Sequence, residues 1–346
     1  MKKKILNWGI LSTARIGERM IDSIKKSQAS NLYGIASRDI NKARVFGKNY
    51  GIPNVYGSYE DLLKDRNIDI IYISLPNHLH CEWAIKAARA KKNVLCEKPL
   101  APSIREINSI IHYAKKYKVM IQEATMMRFH PQIKYVKKLI KDNKIGKIHY
   151  INAIFTITNF NYNDIRYVFS SGGGSLYDLG SYCLSFARYI LDLEPKKVFA
   201  NQEITKGKGK VDQVISGFLQ FPNNIEMQFY SSMRSFPHEN ITIVGENGVL
   251  TLDLPYCNIP GESGSVSIIK ESSTKKINYD SFGDTMRKNF SHINFNENAY
   301  DYEVESVNAT VIKKTKQEIT LEDSKKNIKT ILALLKSAKK NKIINL

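Results

Sequence analysis

A lysine that follows a short apolar strand is the strongest candidate for chemistry in this sequence. Lys98 lies in the run Glu97-Lys98-Pro99, directly after a predicted strand at 93–96. The carboxyl ends of parallel strands form the edge of an α/β sheet at which ligands bind. The proline disfavours helical dihedral angles at Lys98 and so holds the amine in an extended turn. Such an amine can bind substrate hydroxyls and lower the pKa of a neighbouring acid–base group, although a surface turn is the alternative.

A tyrosine in the second half of the chain is the candidate acid–base group. Three glycines at 172–174 precede Asp178, and Tyr182 follows four residues later. A helix that begins near Asp178 places both side chains on one face, one turn apart. A phenol has a reference pKa of about 10, so Tyr182 needs a nearby cation to act near neutrality. Lys98 is such a cation; the alternative is a capped helix whose tyrosine packs in the core.

The loop after the first predicted strand, 5–11, has the position of a dinucleotide-binding loop. The motif G-x-G-x-x-G gives a tight turn and a close approach to the pyrophosphate at a helix N-terminus. In register, this sequence has Ser12, Ala14 and Gly17. Small residues still permit that approach, and a hydroxyl can bind a phosphate oxygen. The candidate cofactor contacts in this loop are Ser12, Thr13, Ala14, Arg15 and Ile16.

The end of the second strand favours NADP over NAD. NAD-binding proteins usually place an acid here for the ribose 2′-hydroxyl, whereas an arginine accommodates a 2′-phosphate. This sequence has Ser37 and Arg38 at that point, and Asp39 is better suited to cap the next helix. Ser37 and Arg38 are therefore predicted to bind the 2′-phosphate of NADP.

The end of the fourth strand supplies three more candidate cofactor contacts, Pro76, Asn77 and His80, on the nicotinamide side. Helix capping by Asn77 is the alternative. His78 and His80 have no third ligand at a suitable spacing, so no metal site is predicted.

Composition and charge limit the class of protein. The chain has 346 residues, 52 Lys and Arg against 33 Asp and Glu, and a formal net charge of +19. The lysines are scattered rather than gathered in one stripe with aromatics, so no nucleic-acid partner is predicted. Four cysteines without a C-x-x-C pair are typical of a reduced, cytoplasmic protein. No run approaches the roughly 18 apolar residues of a membrane span.

The order of predicted elements divides the chain in two. From residue 5 to 123 short strands alternate with amphipathic helices, which predicts a doubly wound parallel sheet. After 123 the strands alternate in polarity and are joined by hairpin signals, which predicts a mostly antiparallel sheet. The expected fold is α/β: a Rossmann NAD(P)-binding domain at 1–123 and an α+β domain for substrate binding and oligomerisation at 124–346.

Taken together, these motifs resemble the Gfo/Idh/MocA oxidoreductase family over nearly the whole chain. The resemblance is carried by residues 8–17, 36–38, 76–80, 97–99, 128–131 and 172–183. Many members have histidine where this chain has Tyr182. The tyrosine form is similar to the branch of glucose-fructose oxidoreductase, dimeric dihydrodiol dehydrogenase and NADP-dependent xylose dehydrogenases.

The resemblance assigns roles to individual residues. It implies that Lys98 and Tyr182 are the catalytic pair, that Asp178 supports the site, and that the Lys98–Pro99 bond is cis. It counts Glu97 and Lys98 among the cofactor contacts, and it places Arg128 and Arg166 near substrate or cofactor. It also implies a homodimer or homotetramer, because the family's second sheet commonly buries an open face.

The sequence thus predicts an NADP-dependent dehydrogenase that acts on an alcohol carbon of a sugar, polyol or dihydrodiol. The alternative from another class is an NAD(P)-binding sensor without turnover, which has no need of Lys98 and Tyr182 as a proton-transfer pair. A glycosidase that uses bound NAD transiently is disfavoured by the absence of an acidic NAD-binding residue.

Overall fold

The computed structural model describes residues 4–205, 209–256, 263–270 and 290–346. They fall into two compact units. The first comprises Met1–Phe129, Ser170–Gly172 and Ala299–Ile328; the second comprises His130–Phe169, Gly173–Asn298 and Lys329–Leu346.

The first unit contains the predicted parallel sheet. Six strands pair in the order β3-β2-β1-β4-β5-β6, all parallel. The strands are β1 (Leu6–Leu11), β2 (Ser30–Ala36), β3 (Asn54–Tyr56), β4 (Ile70–Ile73), β5 (Asn93–Glu97) and β6 (Ile121–Ala124). The helices between them are α1 (Ile16–Lys26), α2 (Ile40–Tyr50), α3 (Tyr59–Lys64), α4 (His80–Arg89) and α5 (Ile104–Tyr117). Every residue of β4 is buried, as expected of a parallel strand covered on both faces.

The second unit contains the predicted mostly antiparallel sheet. Among the described residues nine strands pair in the order β14-β13-β12-β11-β7-β10-β9-β8-β15, and only β7 and β10 are parallel. The strands are β7 (Ile148–Thr158), β8 (Lys197–Ile204), β9 (Asp212–Gln220), β10 (Glu226–Ser232), β11 (Arg234–Gly245), β12 (Gly248–Asp253), β13 (Gly264–Lys270), β14 (Phe290–Phe295) and β15 (Ile344–Asn345). Two helices precede β8: α6 (Pro131–Lys141) and α7 (Ser181–Leu191), the latter continuing a π-helical turn at Leu176–Gly180.

The units differ from the predicted domains at 1–123 and 124–346. The first unit extends to Phe129 and also takes in α8 (Ala299–Lys313) and the start of α9 (Leu321–Lys340). Helix α8 packs against the parallel sheet. Its Asn308 Oδ1 accepts a hydrogen bond from Nε1 of Trp8 in β1 at 3.2 Å. Asp301 accepts another from Ser23 Oγ at 2.5 Å. Sequence analysis missed α8 because the helix is only weakly amphipathic.

In the described part of the chain, no helix combines the length and apolar composition that crossing a bilayer requires. Cys81, Cys96 and Cys183 are free thiols, and Cys257 lies outside the described residues.

Candidate active site

The lysine turn is built on the end of β5. The Lys98–Pro99 peptide bond is cis, as the resemblance implied. Glu97 Oε2 accepts the backbone N–H of Lys98 at 3.3 Å, and Glu97 Oε1 accepts the hydroxyl of Tyr72 at 2.5 Å. Burial raises the pKa of Glu97, while the Tyr72 hydrogen bond and the charge of Lys98 oppose that rise. Glu97 therefore connects the lysine turn to β4.

His80 connects two loops at the sheet edge, and its predicted contact with the cofactor stays a prediction. Its ring is fully buried, with Nδ1 2.8 Å from Pro99 O and Nε2 2.7 Å from Leu75 O. Burial lowers the pKa of His80, although the two carbonyl groups favour its charged form. The His80 ring joins the end of the fourth strand to the proline of the lysine turn.

Asn77 binds Gly172, the first residue of the glycine run, within the first unit. Its Nδ2 donates to Gly172 O at 2.9 Å, so its side chain is committed to this loop. Gly172 has φ +75°, and a Cβ there would lie 2.9 Å from Asn77 Cβ. This contact requires a glycine at 172. Pro76 precedes Asn77 at the same sheet edge and is partly exposed.

In the loop after β1, a serine adopts a backbone conformation that usually requires glycine. Ser12 has φ +97°, a conformation that glycine adopts without steric cost and serine does not. Its N–H donates to Ala36 O at 2.9 Å, and its Oγ accepts the N–H of Ala14 at 3.1 Å. Thr13, Ala14 and Arg15 then lead into α1. Ser12 thus takes the place of the first motif glycine.

Asp39 caps α2, as predicted. Its side chain accepts from Asn41 N at 2.9 Å and from Lys42 N at 3.3 Å, so its carboxylate is engaged away from a ribose. Ser37 Oγ accepts the N–H of Asp39 at 3.2 Å. The acid that follows Arg38 is therefore a structural residue.

Arg38 lines an open cleft together with two aromatic residues, Tyr59 and Trp83. The cleft is lined by Arg38, Gly57, Ser58, Tyr59, Glu60, Leu79, Glu82 and Trp83. The rings of Tyr59 and Trp83 meet edge to face with centroids 4.9 Å apart. Burial raises the pKa of Tyr59, while hydrogen bonds from Arg38 and Ser12 lower it. The Tyr59 hydroxyl therefore lies near both predicted cofactor loops.

Sequence analysis missed Tyr59 and Trp83. Neither belongs to a motif, and the available signal is Ser58, whose hydroxyl caps α3 directly before Tyr59. Lys86 lies between the two acids of the cleft, with Nζ 2.9 Å from Glu60 and 2.7 Å from Glu82. One lysine offsets only one of the two negative charges, so the charge of Arg38 balances the other.

In the second unit, Arg166 pairs with Asp178. Arg166 Nε lies 2.6 Å from Asp178 Oδ2, and Arg166 Nη1 lies 3.3 Å from Asp164. The Asp178 carboxylate raises the pKa of Arg166. Asp178 lies in a π-helical turn rather than in the α-helical turn that we predicted. Such turns are wider than an α-helical turn and are frequent at functional sites.

Tyr182 lies in the first turn of α7 and is buried. Its ring meets Phe155 edge to face at 5.7 Å and lies 6.0 Å from Tyr256. Gly180 lets the helix approach β10, because a Cβ there would lie 2.7 Å from Leu176 Cδ1 and 3.1 Å from Ser231 Oγ. Aromatic packing thus holds the ring of the predicted acid–base residue.

Arg128 is part of a buried ion pair. Its side chain is 3% exposed, and Nη1 lies 2.8 Å from Asp323 Oδ2. The guanidinium therefore contributes to the packing of the first unit, and a contact of Arg128 with substrate or cofactor stays a prediction. Among the described residues, no cluster of histidine, cysteine or acidic side chains is arranged to hold a metal ion.

Two family models match the chain. A model of the Gfo/Idh/MocA oxidoreductases, with an NAD-binding Rossmann fold, matches residues 6–125. A model of the Gfo/Idh/MocA C-terminal domain matches residues 133–251. Together they cover the parallel sheet and the strands β7 to β11 of the second sheet.

Named relatives agree with these models. The trans-1,2-dihydrobenzene-1,2-diol dehydrogenase of Xenopus tropicalis is 30% identical over 323 residues, 92% of this chain and 93% of the relative. The NADP(+)-dependent D-xylose 1-dehydrogenase of Haloferax volcanii is 36% identical over 232 residues, 65% of this chain and 69% of the relative. The aldose-aldose oxidoreductase of Caulobacter crescentus, solved with glycerol, has the same fold, with a TM-score of 0.88 at 21% identity. That comparison covers 99% of this chain and 100% of the other.

Proposed function

Since the chain belongs to the Gfo/Idh/MocA family of oxidoreductases, we propose that it is an NADP-dependent dehydrogenase of sugar, polyol or dihydrodiol alcohols. The observation that carries this proposal is the lysine turn. Lys98 follows β5, next in the sheet to β4, whose carboxyl end leads to Asn77. A cation at this edge suits a reaction in which an alcohol loses both a proton and a hydride.

The chemistry follows from the two candidate catalytic side chains. Bound NADP would supply the hydride acceptor at nicotinamide C4. Tyr182, as phenolate, takes the hydroxyl proton while the C–H electron pair leaves as hydride, and the alcohol becomes a carbonyl. Lys98 stabilises the phenolate and orients the hydroxyl; Asp178, through its pair with Arg166, supports the segment that carries Tyr182. General acid–base catalysis of this kind contributes roughly 10²–10⁴ in rate.

The choice of NADP rests on Arg38. A guanidinium binds phosphate through two parallel hydrogen bonds, and it also stacks on an adenine ring. Asp39, the nearest acid, is occupied as a helix cap, so it is not available to a ribose 2′-hydroxyl. The backbone of Ser12, with φ +97°, fits the close approach of a pyrophosphate. The NADP-dependent xylose dehydrogenase among the relatives supports the same cofactor.

We further propose a homodimer or homotetramer in the cytoplasm, with the nine-stranded sheet at the subunit contact. Light scattering tests the assembly: a monomer at micromolar concentration would contradict it.

The proposed substrate class comes from the relatives, which act on a xylose and a dihydrodiol.

A substrate panel tests the proposed function. Purified protein is mixed with NADP or NAD and with aldoses, polyols and dihydrodiols, and nicotinamide absorbance is followed. We expect reduction of NADP with one class of alcohol. Quenching of tryptophan fluorescence reports cofactor binding separately, because Trp83 lines the cleft. Binding without turnover across the panel would favour the sensor; loss of cofactor binding as well would contradict both functions.

A further inference from the structure

A buried carboxylate from β9 lies against the start of the segment that carries Asp178 and Tyr182. Asp212 is only 4% exposed, and its Oδ2 accepts the backbone N–H of Leu176 at 2.7 Å. The N–H of Ser175 is a second donor to the same side chain. Leu176 begins the π-helical turn, so Asp212 satisfies backbone donors that a helix start leaves without partners.

The glycine loop is shaped around this carboxylate. Gly174 has φ +120°, and a Cβ at that position would collide with Asp212 Oδ1. Gly174 N donates to Arg166 O at 2.9 Å, and Asp178 N donates to Gly174 O at 3.0 Å. The segment is thus held from two sides, by the backbone and side chain of Arg166 and by Asp212. Both holding residues come from outside the helix.

No cation neutralises Asp212 in the described part of the chain. Its carboxylate accepts from backbone N–H groups, including its own. On the elements packed around it, the charged side chains pair with each other: Arg166 lies 2.6 Å from Asp178, and Arg234 lies 2.6 Å from Glu203. An ionised carboxylate in such a place is costly, whereas a protonated one still accepts through its carbonyl oxygen.

We propose that Asp212 is a positioning residue that holds the tyrosine segment Gly173 to Tyr182, and that it holds the segment most tightly while it carries its proton. This inference rests on the proposed function only in that Tyr182 is the acid–base group. Burial raises the pKa of Asp212 to about 7, although the N–H groups of Leu176 and Ser175 lower it. Near neutral pH the protonated and ionised forms of Asp212 are therefore present in similar amounts.

The sign of the pH dependence follows from linkage. In an opened, solvated segment Asp212 has an ordinary pKa of about 3.9, below that of the closed state. The closed state therefore binds one more proton between the two values, and its stability against opening falls as pH rises through that window. Above the closed-state pKa of about 7 this stability no longer changes with pH. The free energy of local opening therefore decreases with pH up to neutrality and is constant above it.

Amide hydrogen exchange measures this opening without requiring turnover. We expect the protection of the tyrosine segment in the wild-type protein, corrected for intrinsic exchange, to fall by up to about tenfold per pH unit between about pH 5 and 7. Asp212→Asn keeps an acceptor oxygen and never ionises, so its protection should vary by no more than about threefold over the same range. Equal pH dependence in both proteins would overturn the proposal.

Two further variants separate positioning from general damage. Asp192→Asn makes the same change at the other end of α7, where the carboxylate is exposed, and should leave the wild-type pH dependence intact. Asp212→Leu removes the acceptor, so we expect at least about tenfold lower kcat than for Asp212→Asn, with NADP affinity unchanged. Equal kcat in the two Asp212 variants would contradict a positioning role. If Asp212→Leu fails to fold, the exchange comparison decides alone.

The exchange experiment also separates this inference from the proposed function. A protein with the expected pH-dependent protection but no dehydrogenase activity would support Asp212 as the holding residue and contradict the enzyme. A dehydrogenase whose tyrosine segment exchanges independently of pH would support the enzyme and overturn the role of Asp212.

Discussion

The two units position their candidate residues by different means. In the first unit, Ser12, Arg38, Asn77 and Lys98 follow β1, β2, β4 and β5, which are neighbours in one parallel sheet. Sheet topology alone brings these positions to a common edge. In the second unit, Tyr182 lies on a helix whose start is held by Arg166 and by Asp212, from separate parts of the chain. The strand order of the sheet sets the first group of positions, whereas the position of the tyrosine segment depends on particular side-chain contacts.

Lys98→Met should have the largest effect among changes in the first unit. It removes the cation but keeps the length of the side chain, so we expect kcat to fall by about 10²–10⁴ with the fold intact. Steady-state kinetics and circular dichroism measure the two quantities. Lys115→Met, on the exposed face of α5, is the matched control. A loss of only a few fold at Lys98 would remove this lysine from the chemistry.

Gly174→Ala should displace the tyrosine segment from Asp212 in the second unit. The new Cβ would meet Asp212 Oδ1 in a backbone conformation at φ +120°, so we expect kcat to fall by about tenfold to a hundredfold. Gly51→Ala is the control, because Gly51 also has positive φ, at +60°, but faces open space. It should cost about 1 kcal/mol of stability and leave kcat unchanged. Equal kinetic losses in both variants would show that backbone strain, not the contact with Asp212, decides the result.

Arg38→Ala should change cofactor choice while leaving the catalytic residues in place. Loss of a charge-assisted phosphate contact predicts a KM for NADP that rises by about ten- to thirtyfold, with little change for NAD. Arg44→Ala, on the exposed face of α2, should leave both values unchanged. A parallel rise for both cofactors would mean that Arg38 does not bind the 2′-phosphate.

Glu303→Gln should have the smallest effect, on stability alone. Both carboxylate oxygens of Glu303 are buried, and burial and then the charge of Glu97 raise its pKa, while the backbone N–H of Thr125 opposes that rise. A raised pKa in the folded state means that the stability contributed by Glu303 is present at acidic pH and is lost as pH rises. Glutamine does not ionise, so the variant should become more stable than the wild type at alkaline pH, by about 1 kcal/mol or a few degrees in Tm.

The pH dependence makes that prediction specific to Glu303. The difference in Tm between Glu303→Gln and the wild type should grow from about pH 5 to about pH 8. Glu305→Gln, an exposed neighbour on α8, should show no such growth. A constant difference would indicate that Glu303 does not titrate in the folded protein.

Much of the first unit could be predicted from the sequence, because its strands alternate with helices and its strand ends carry the family motifs. The contacts formed by folding could not. His80 stands in a motif but is enclosed by carbonyl groups, and Arg128 is drawn into an ion pair with Asp323. Tyr59 approaches Arg38 and Ser12 only through the tertiary fold. Asp212 is more than thirty residues after Leu176, whose N–H it accepts, and no local pattern marks it.

The rate of hydride transfer in a single turnover of Tyr182→Phe tests whether Tyr182 is the acid–base group. The variant removes one hydroxyl and keeps the ring that packs on Phe155. We predict a rate about 10²–10⁴ below that of the wild type, with NADP affinity unchanged. Tyr189→Phe, on the same helix with its hydroxyl 2.8 Å from Lys134, should retain the wild-type rate. A Tyr182→Phe rate within a few fold of the wild type would contradict the account, because the acid–base group would then lie elsewhere.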